Sequence, residues 1–229
     1  MSKHGMSSEQ ASRKKRNGHK LEERFHRQFN PSSSALLVNY SGSTADCRFK
    51  SGFPPQFYKV WPDADEEGLG VSIKSGYALQ FQLGSPLMEL TNSEYLVGKN
   101  DKDQTKVDHL KSFVEQVASL KDPNFWRKYL KKGDWMCHAD LENNKWRLFR
   151  MEEIIDLLVS DKFIWDLLST GRIKGRYHSS VGAKPISIIT YEYRKKKKSF
   201  VLGANGGQCG KKFIEILLKE INYVSISMK

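Results

Sequence analysis

Apolar residues recur every four positions early in the chain, where Leu21, Phe25 and Phe29 share one side and Glu22, Glu23, Arg24 and Arg27 surround them. The spacing predicts a helix over 18–29, which Asn30-Pro31 stops. The period then shortens. Residues 35–40 form an apolar run of strand length, Ser41-Gly42-Ser43 turns, and 44–49 make a second short strand carrying Asp46. Residues 50–67 hold Pro54-Pro55 and the acidic run Asp63-Ala64-Asp65-Glu66-Glu67. That composition predicts an irregular excursion with solvated carboxylates. A strand follows over 69–74, and 78–83 fits either another strand or the first turns of a helix.

Helical spacing returns over 107–121, where Val107, Leu110, Val114, Val117 and Leu120 line one side, and over 151–170, ended by Gly171. Strands are expected over 186–193 and 199–203, joined by a basic tip of Arg194, Lys195, Lys196, Lys197 and Lys198. Gly206-Gly207 and Gly210 lead into a last helix over 211–221, which buries Phe213, Ile214, Leu217, Leu218 and Ile221. This Gly-rich stretch is no phosphate-binding P-loop, because Lys212 stands where that motif needs Ser or Thr. The mixture of elements predicts an α/β domain with a central mixed β-sheet flanked by helices.

Composition narrows the organisation. At 229 residues the chain suits one domain with an appendage. Residues 1–17 are polar and Ser-rich and end in Arg13-Lys14-Lys15-Arg16, which predicts a flexible basic arm. The remainder, 18–229, is expected to be a single domain. Its catalytic core is expected at about 18–121 and a DNA-contacting part at about 122–229.

Lys and Arg number 38 against 26 Asp and Glu, a net charge of +12, so a polyanionic partner is favoured, nucleic acid first. Cys47, Cys137 and Cys209 have no CxxC spacing and imply neither a disulfide framework nor a zinc site, so a reducing, cytoplasmic setting is expected. Met136-Cys137-His138 reads as a partly buried thiol. No apolar leader region or 18-residue apolar stretch occurs, so neither secretion nor a membrane span is expected.

The candidate chemistry lies in Asp46 and in Ser72-Ile73-Lys74 on the strand after it. A carboxylate is a hard-oxygen ligand for Mg²⁺, and an amine beside it can orient or deprotonate water or neutralise a phosphate. Together they suit phosphodiester hydrolysis, which needs an activated water and stabilised oxyanions. One carboxylate is thin for a magnesium site.

The spacing of Asp46 to Ser72-x-Lys74 resembles the PD-(D/E)xK nuclease superfamily, specifically type II restriction endonucleases. Ser72 replaces the second acid of that motif, and Ala45 stands where its proline would be. The resemblance implies a restriction-endonuclease-like fold, catalytic roles for Asp46, Ser72 and Lys74, and a further carboxylate from elsewhere. Gly18-His19-Lys20-Leu21-Glu22 resembles the G-x-x-x-E signature of many such nucleases, which makes Glu22 the first candidate; Glu89 is the second. The segment after Lys74 resembles one in which a Gln packs at the active centre, a role open to Gln80 or Gln82.

The function implied is a Mg²⁺-dependent type II endonuclease cutting double-stranded DNA at a short specific site. A homodimer is implied by palindromic cleavage. Arg172, Lys174, Arg176 and the tip at Arg194–Lys198 are the expected DNA contacts, lysines for phosphates and arginines for guanine edges. Two rivals stand beside this reading. One is a repair or mobile-element nuclease of the same superfamily; the other is a DNA-binding protein in which Ser72 records the loss of catalysis.

Overall fold

The computed structural model describes residues 8–30, 45–49, 52–64, 70–76, 80–84, 121–130, 133–167, 173–180, 182–194, 199–203 and 207–229. The strand expected over 35–40 and the helix expected over 107–121 fall almost wholly outside them. The protein is mixed α/β, with two five-stranded sheets and helices. It divides into two compact units that interleave along the chain. The first unit comprises Met1–Ser75, Gly133–Leu148 and Val224–Lys229; the second comprises Gly76–Lys132 and Phe149–Tyr223.

In the first unit, helix α1 spans Ser8–Phe29 and helix α2 spans Pro55–Val60. The strands are β1 (Cys47–Arg48), β2 (Gly70–Ser75), β4 (Trp135–Asp140), β5 (Lys145–Arg150) and β10 (Tyr223–Ser227), in the order β1-β2-β4-β5-β10. The sheet is mixed: β1 runs antiparallel to β2, and β2 parallel to β4 with Lys74 opposite His138. Phe25, Phe49, Phe57, Trp135 and Trp146 are buried at its heart, with Leu21 and Phe29 packed against them. Edge-to-face pairs such as Phe25–Trp146, at 5.4 Å, add to what area burial alone contributes.

Glycine sets how closely β2 and β4 begin. A Cβ on Gly133 would lie 2.9 Å from the Gly70 carbonyl oxygen, and one on Gly70 would lie 3.1 Å from the Ala45 Cβ. The Gly70 N–H donates to Asp134 Oδ2 over 3.2 Å. The last strand is tied to α1. Gln28 Oε1 accepts from Trp146 Nε1 and from the Lys229 N–H, both at 2.9 Å, while Gln28 Nε2 donates to the Ser227 carbonyl.

The second unit holds strands β3 (Gln80–Gly84), β6 (Phe163–Leu167), β7 (Ile173–Tyr177), β8 (Ile186–Arg194) and β9 (Ser199–Gly203), in the order β3-β9-β8-β7-β6. All its pairings are antiparallel. Its helices are α3 (Pro123–Tyr129), α4 (Met151–Val159) and α5 (Gly207–Glu220).

Several expectations are corrected. Residues 8–17, expected in the flexible arm, are the first turns of α1. Within the excursion at 50–67 the chain forms α2, because Pro55 suits a first helical position and Phe57 and Trp61, four apart, pack on Trp135. The helix expected over 151–170 ends at Val159. There Ser160 Oγ donates to the Leu157 carbonyl, and the Lys121 ammonium caps the carbonyls of Val159, Ser160 and Phe163. Residues 163–167 then pair as β6, with Trp165 opposite Gly175. A Cβ on Gly175 would sit 3.0 Å from that indole, so glycine makes room for it. Residues 80–84 are a strand, and the last helix starts at Gly207 rather than Lys211. The Cys137 thiol is fully rather than partly buried, and burial pushes its pKa well up.

Candidate active site

Two short contacts bring β1 to α1. Asn30, buried at the end of α1, donates through Nδ2 to the Arg48 carbonyl over 2.8 Å, and Cys47 Sγ lies 3.6 Å from the Glu22 carbonyl oxygen. With β1 so held, Asp46 stands at its start, against β2. Asp46 Oδ2 accepts from the Ile73 N–H at 2.7 Å and from Ser72 Oγ at 3.2 Å. Two donors on one oxygen fix the carboxylate's orientation. Among the described residues, Oδ1 has no hydrogen-bond donor.

Ser72 is buried, and its hydroxyl points at Asp46. It therefore holds the Asp46 carboxylate in place from the neighbouring strand.

Lys74 lies two residues on, partly buried. Burial lowers the pKa of its amine, while the charges of Asp46 and then Glu22 act to raise it. The same two carboxylates, with burial as the larger cause, push the Cys47 thiol up to about 12, so that sulfur is a neutral packing group. Glu22, Asp46 and Lys74 thus share one electrostatic neighbourhood.

Glu22 Oε2 is 3.1 Å from Nδ1 of His19, one turn earlier on α1. His19 is a site neighbour that the reading of G-x-x-x-E passed over; its signal was its spacing of three from Glu22, which puts the two on one side of a helix. Glu23 faces elsewhere: it pairs with Arg27 at 3.4 Å on the exposed surface.

Other expected residues lie apart from this cluster or outside the described residues. Glu89, Arg172, Lys195, Lys196, Lys197 and Lys198 are outside, as are the side chains of Gln80, Gln82 and Arg194, whose backbones lie in β3 and β8 of the second unit. On β7, Lys174 faces Asp166 in register, and Arg176 Nη2 contacts Asp166 Oδ2 at 2.5 Å. That ion pair already engages the Arg176 guanidinium. Asp63 is exposed in the turn after α2.

As a metal site, the cluster offers the oriented Asp46 carboxylate and Glu22, both hard oxygen donors of the kind Mg²⁺ takes. Among the described residues no three His, Cys, Asp or Glu side chains converge as a metal-holding group. Mg²⁺ commonly keeps several waters and binds through one or two carboxylates, so this donor set fits it better than a cation needing an all-protein cage. Also among the described residues, no helix is long and apolar enough to cross a membrane. Compared with known proteins, the chain matches no family model, no curated protein and no solved structure.

Proposed function

We propose that this protein is a Mg²⁺-dependent type II restriction endonuclease that hydrolyses phosphodiester bonds in double-stranded DNA at a short specific site, on a restriction-endonuclease-like fold. The observation that carries the reading is the doubly hydrogen-bonded Asp46 carboxylate, with Lys74 and Glu22 in the same electrostatic neighbourhood. Asp46 and Glu22 would hold the metal, which supplies charge stabilisation and lowers the pKa of a bound water. Lys74, its pKa lowered by burial, sheds its proton more readily than a surface lysine and is suited to orient or deprotonate the attacking water. Ser72 keeps the Asp46 carboxylate aimed.

The excess of Lys and Arg supports a nucleic-acid substrate, and a homodimer would place two such sites on a palindrome. Three free thiols suit a reducing, cytoplasmic setting. One observation favours the rival of a DNA-binding protein without catalysis: no third acid joins Asp46 and Glu22 among the described residues.

The test is incubation of the purified protein with plasmid and phage DNA and Mg²⁺. Discrete fragments, lost on chelation and in Asp46→Asn, are expected. Smears or cuts confined to flaps would indicate a repair nuclease instead. Binding without cutting, unaltered by Asp46→Asn and Lys74→Met, would leave only the non-catalytic reading.

A further inference from the structure

Helix α1 carries a second surface besides the one that bears Glu22. Lys20, Arg24 and Arg27 are spaced four and three apart and so share one face, nearly opposite the buried Phe25. Lys20, Glu23, Arg24, Arg27, Gln28 and Lys229 line an open pocket of about 750 Å³. Its single acidic side chain, Glu23, is taken by Arg27. Arg24 is held in place rather than free, since Nε donates to the Lys229 carbonyl at 2.8 Å and Nη2 to Asn144 Oδ1 at 3.1 Å. A guanidinium fixed in this way loses little side-chain freedom on meeting an anion. Position 16, also arginine, continues the same line towards the start of the helix. From 16 to 27 the line is about 16 Å long, the axial length of about five base pairs.

We infer that this face of α1 is a tracking surface for the phosphate backbone of nucleic acid. The inference rests on the nuclease reading for the identity of the polymer and deepens it, because one helix would then carry both a candidate metal carboxylate and a phosphate rail. An anionic membrane is the other polyanionic surface to weigh. Helices that lie on membranes bury their apolar side in lipid, whereas the apolar side of α1 is spent inside the first unit, on Phe49 and Trp146. A regular row of cations with no apolar face to offer suits a phosphate polymer.

The experiment measures binding of the full-length protein to a 30-base-pair duplex without divalent metal, by fluorescence anisotropy over a salt series. Lys20→Gln/Arg27→Gln removes two exposed charges and leaves the Arg24 contacts intact. A second variant adds Arg24→Gln. Each lost phosphate contact lowers the slope of log affinity against log salt by about 0.9, so the double variant should lose about 2 and the triple about 3. A double variant with unchanged slope and affinity, and an unchanged melting temperature, overturns the inference. So does wild-type protein that binds phosphatidylserine vesicles in preference to the duplex.

The nuclease reading fails separately. If the slopes change as expected but no Mg²⁺-dependent cutting occurs, the phosphate rail stands and the catalysis does not. If cutting occurs and the slopes do not change, the reverse holds.

Discussion

Ser72 Oγ lies 3.2 Å from Asp46 Oδ2, across the pairing of β1 with β2, and the Ile73 N–H reaches the same oxygen at 2.7 Å. The hydroxyl two positions before Lys74 therefore holds the neighbouring acid still. Asp46→Asn keeps an oxygen acceptor for both donors and removes the charge, whereas Asp46→Ala leaves a buried hydroxyl and a backbone N–H without their partner. Cleavage should vanish in both, but only Asp46→Ala should lose stability, by about 1–3 kcal/mol in urea denaturation. Ser72→Ala should retain cleavage at a reduced rate. Complete loss of activity in Ser72→Ala with normal stability would show that the hydroxyl does more than aim Asp46.

Lys74 carries its charge against burial, so Lys74→Met should abolish cutting while the melting temperature holds or rises. A lysine whose folded pKa is lowered binds fewer protons folded than unfolded between the two values. The variant's stability advantage should therefore shrink as pH climbs from the lowered pKa towards about 10.4, the unfolded value. Thermal melts of both proteins across alkaline pH measure this. An advantage that widens over that range would mean that the carboxylates outweigh burial.

Gly133→Ala should destabilise the first unit by about 1–3 kcal/mol, since its Cβ would meet the Gly70 carbonyl at 2.9 Å, a backbone contact that cannot swing aside. Amide hydrogen exchange should quicken in 70–75 and 135–140. Cleavage should weaken with it, because β2 carries both Ser72 and Lys74. Unchanged exchange would mean that the two strands separate without cost.

The second unit should lose stability in alkali. Burial, then the Glu220 carboxylate that its hydroxyl contacts at 2.5 Å, raise the Tyr177 pKa to about 12. A raised phenol contributes stability that is intact below about pH 10, the unfolded value, and is lost as pH rises to about 12. Tyr177→Phe should flatten that loss in circular-dichroism melts between pH 9 and 12. A variant that keeps the wild-type slope would place the titration elsewhere.

Position by position, the strands next to Asp46 and through Lys74 were easy to read and their neighbours were not. Leu21, Phe25 and Phe29 set the phase of α1, which ranked Glu22 ahead of Glu23, although a phase one residue off would have exchanged the two. Strands β4 and β5 went unread: all six residues of β4 are buried, so it lacks the alternation that marks a half-exposed strand. The apolar positions recurring from Met151 through Phe163–Leu167 hid a helix and a strand in one pattern. Their border is drawn by Lys121, some forty residues away, which no local period reveals. The basic run ending at Arg16 was legible as an arm, but its line with Lys20, Arg24 and Arg27 follows only from a helix that begins at Ser8.

The first unit is closed by residues 224–229, whose backbone is stitched to Gln28 and Arg24 of α1. Glu22, Asp46 and Lys74 all lie within the first 75 residues, yet the helix that carries Glu22 is braced by a segment some two hundred residues further along the chain. Fraying of that segment would release Gln28 and Arg24 and loosen α1, so the order of the candidate site depends on contacts of very long sequence separation.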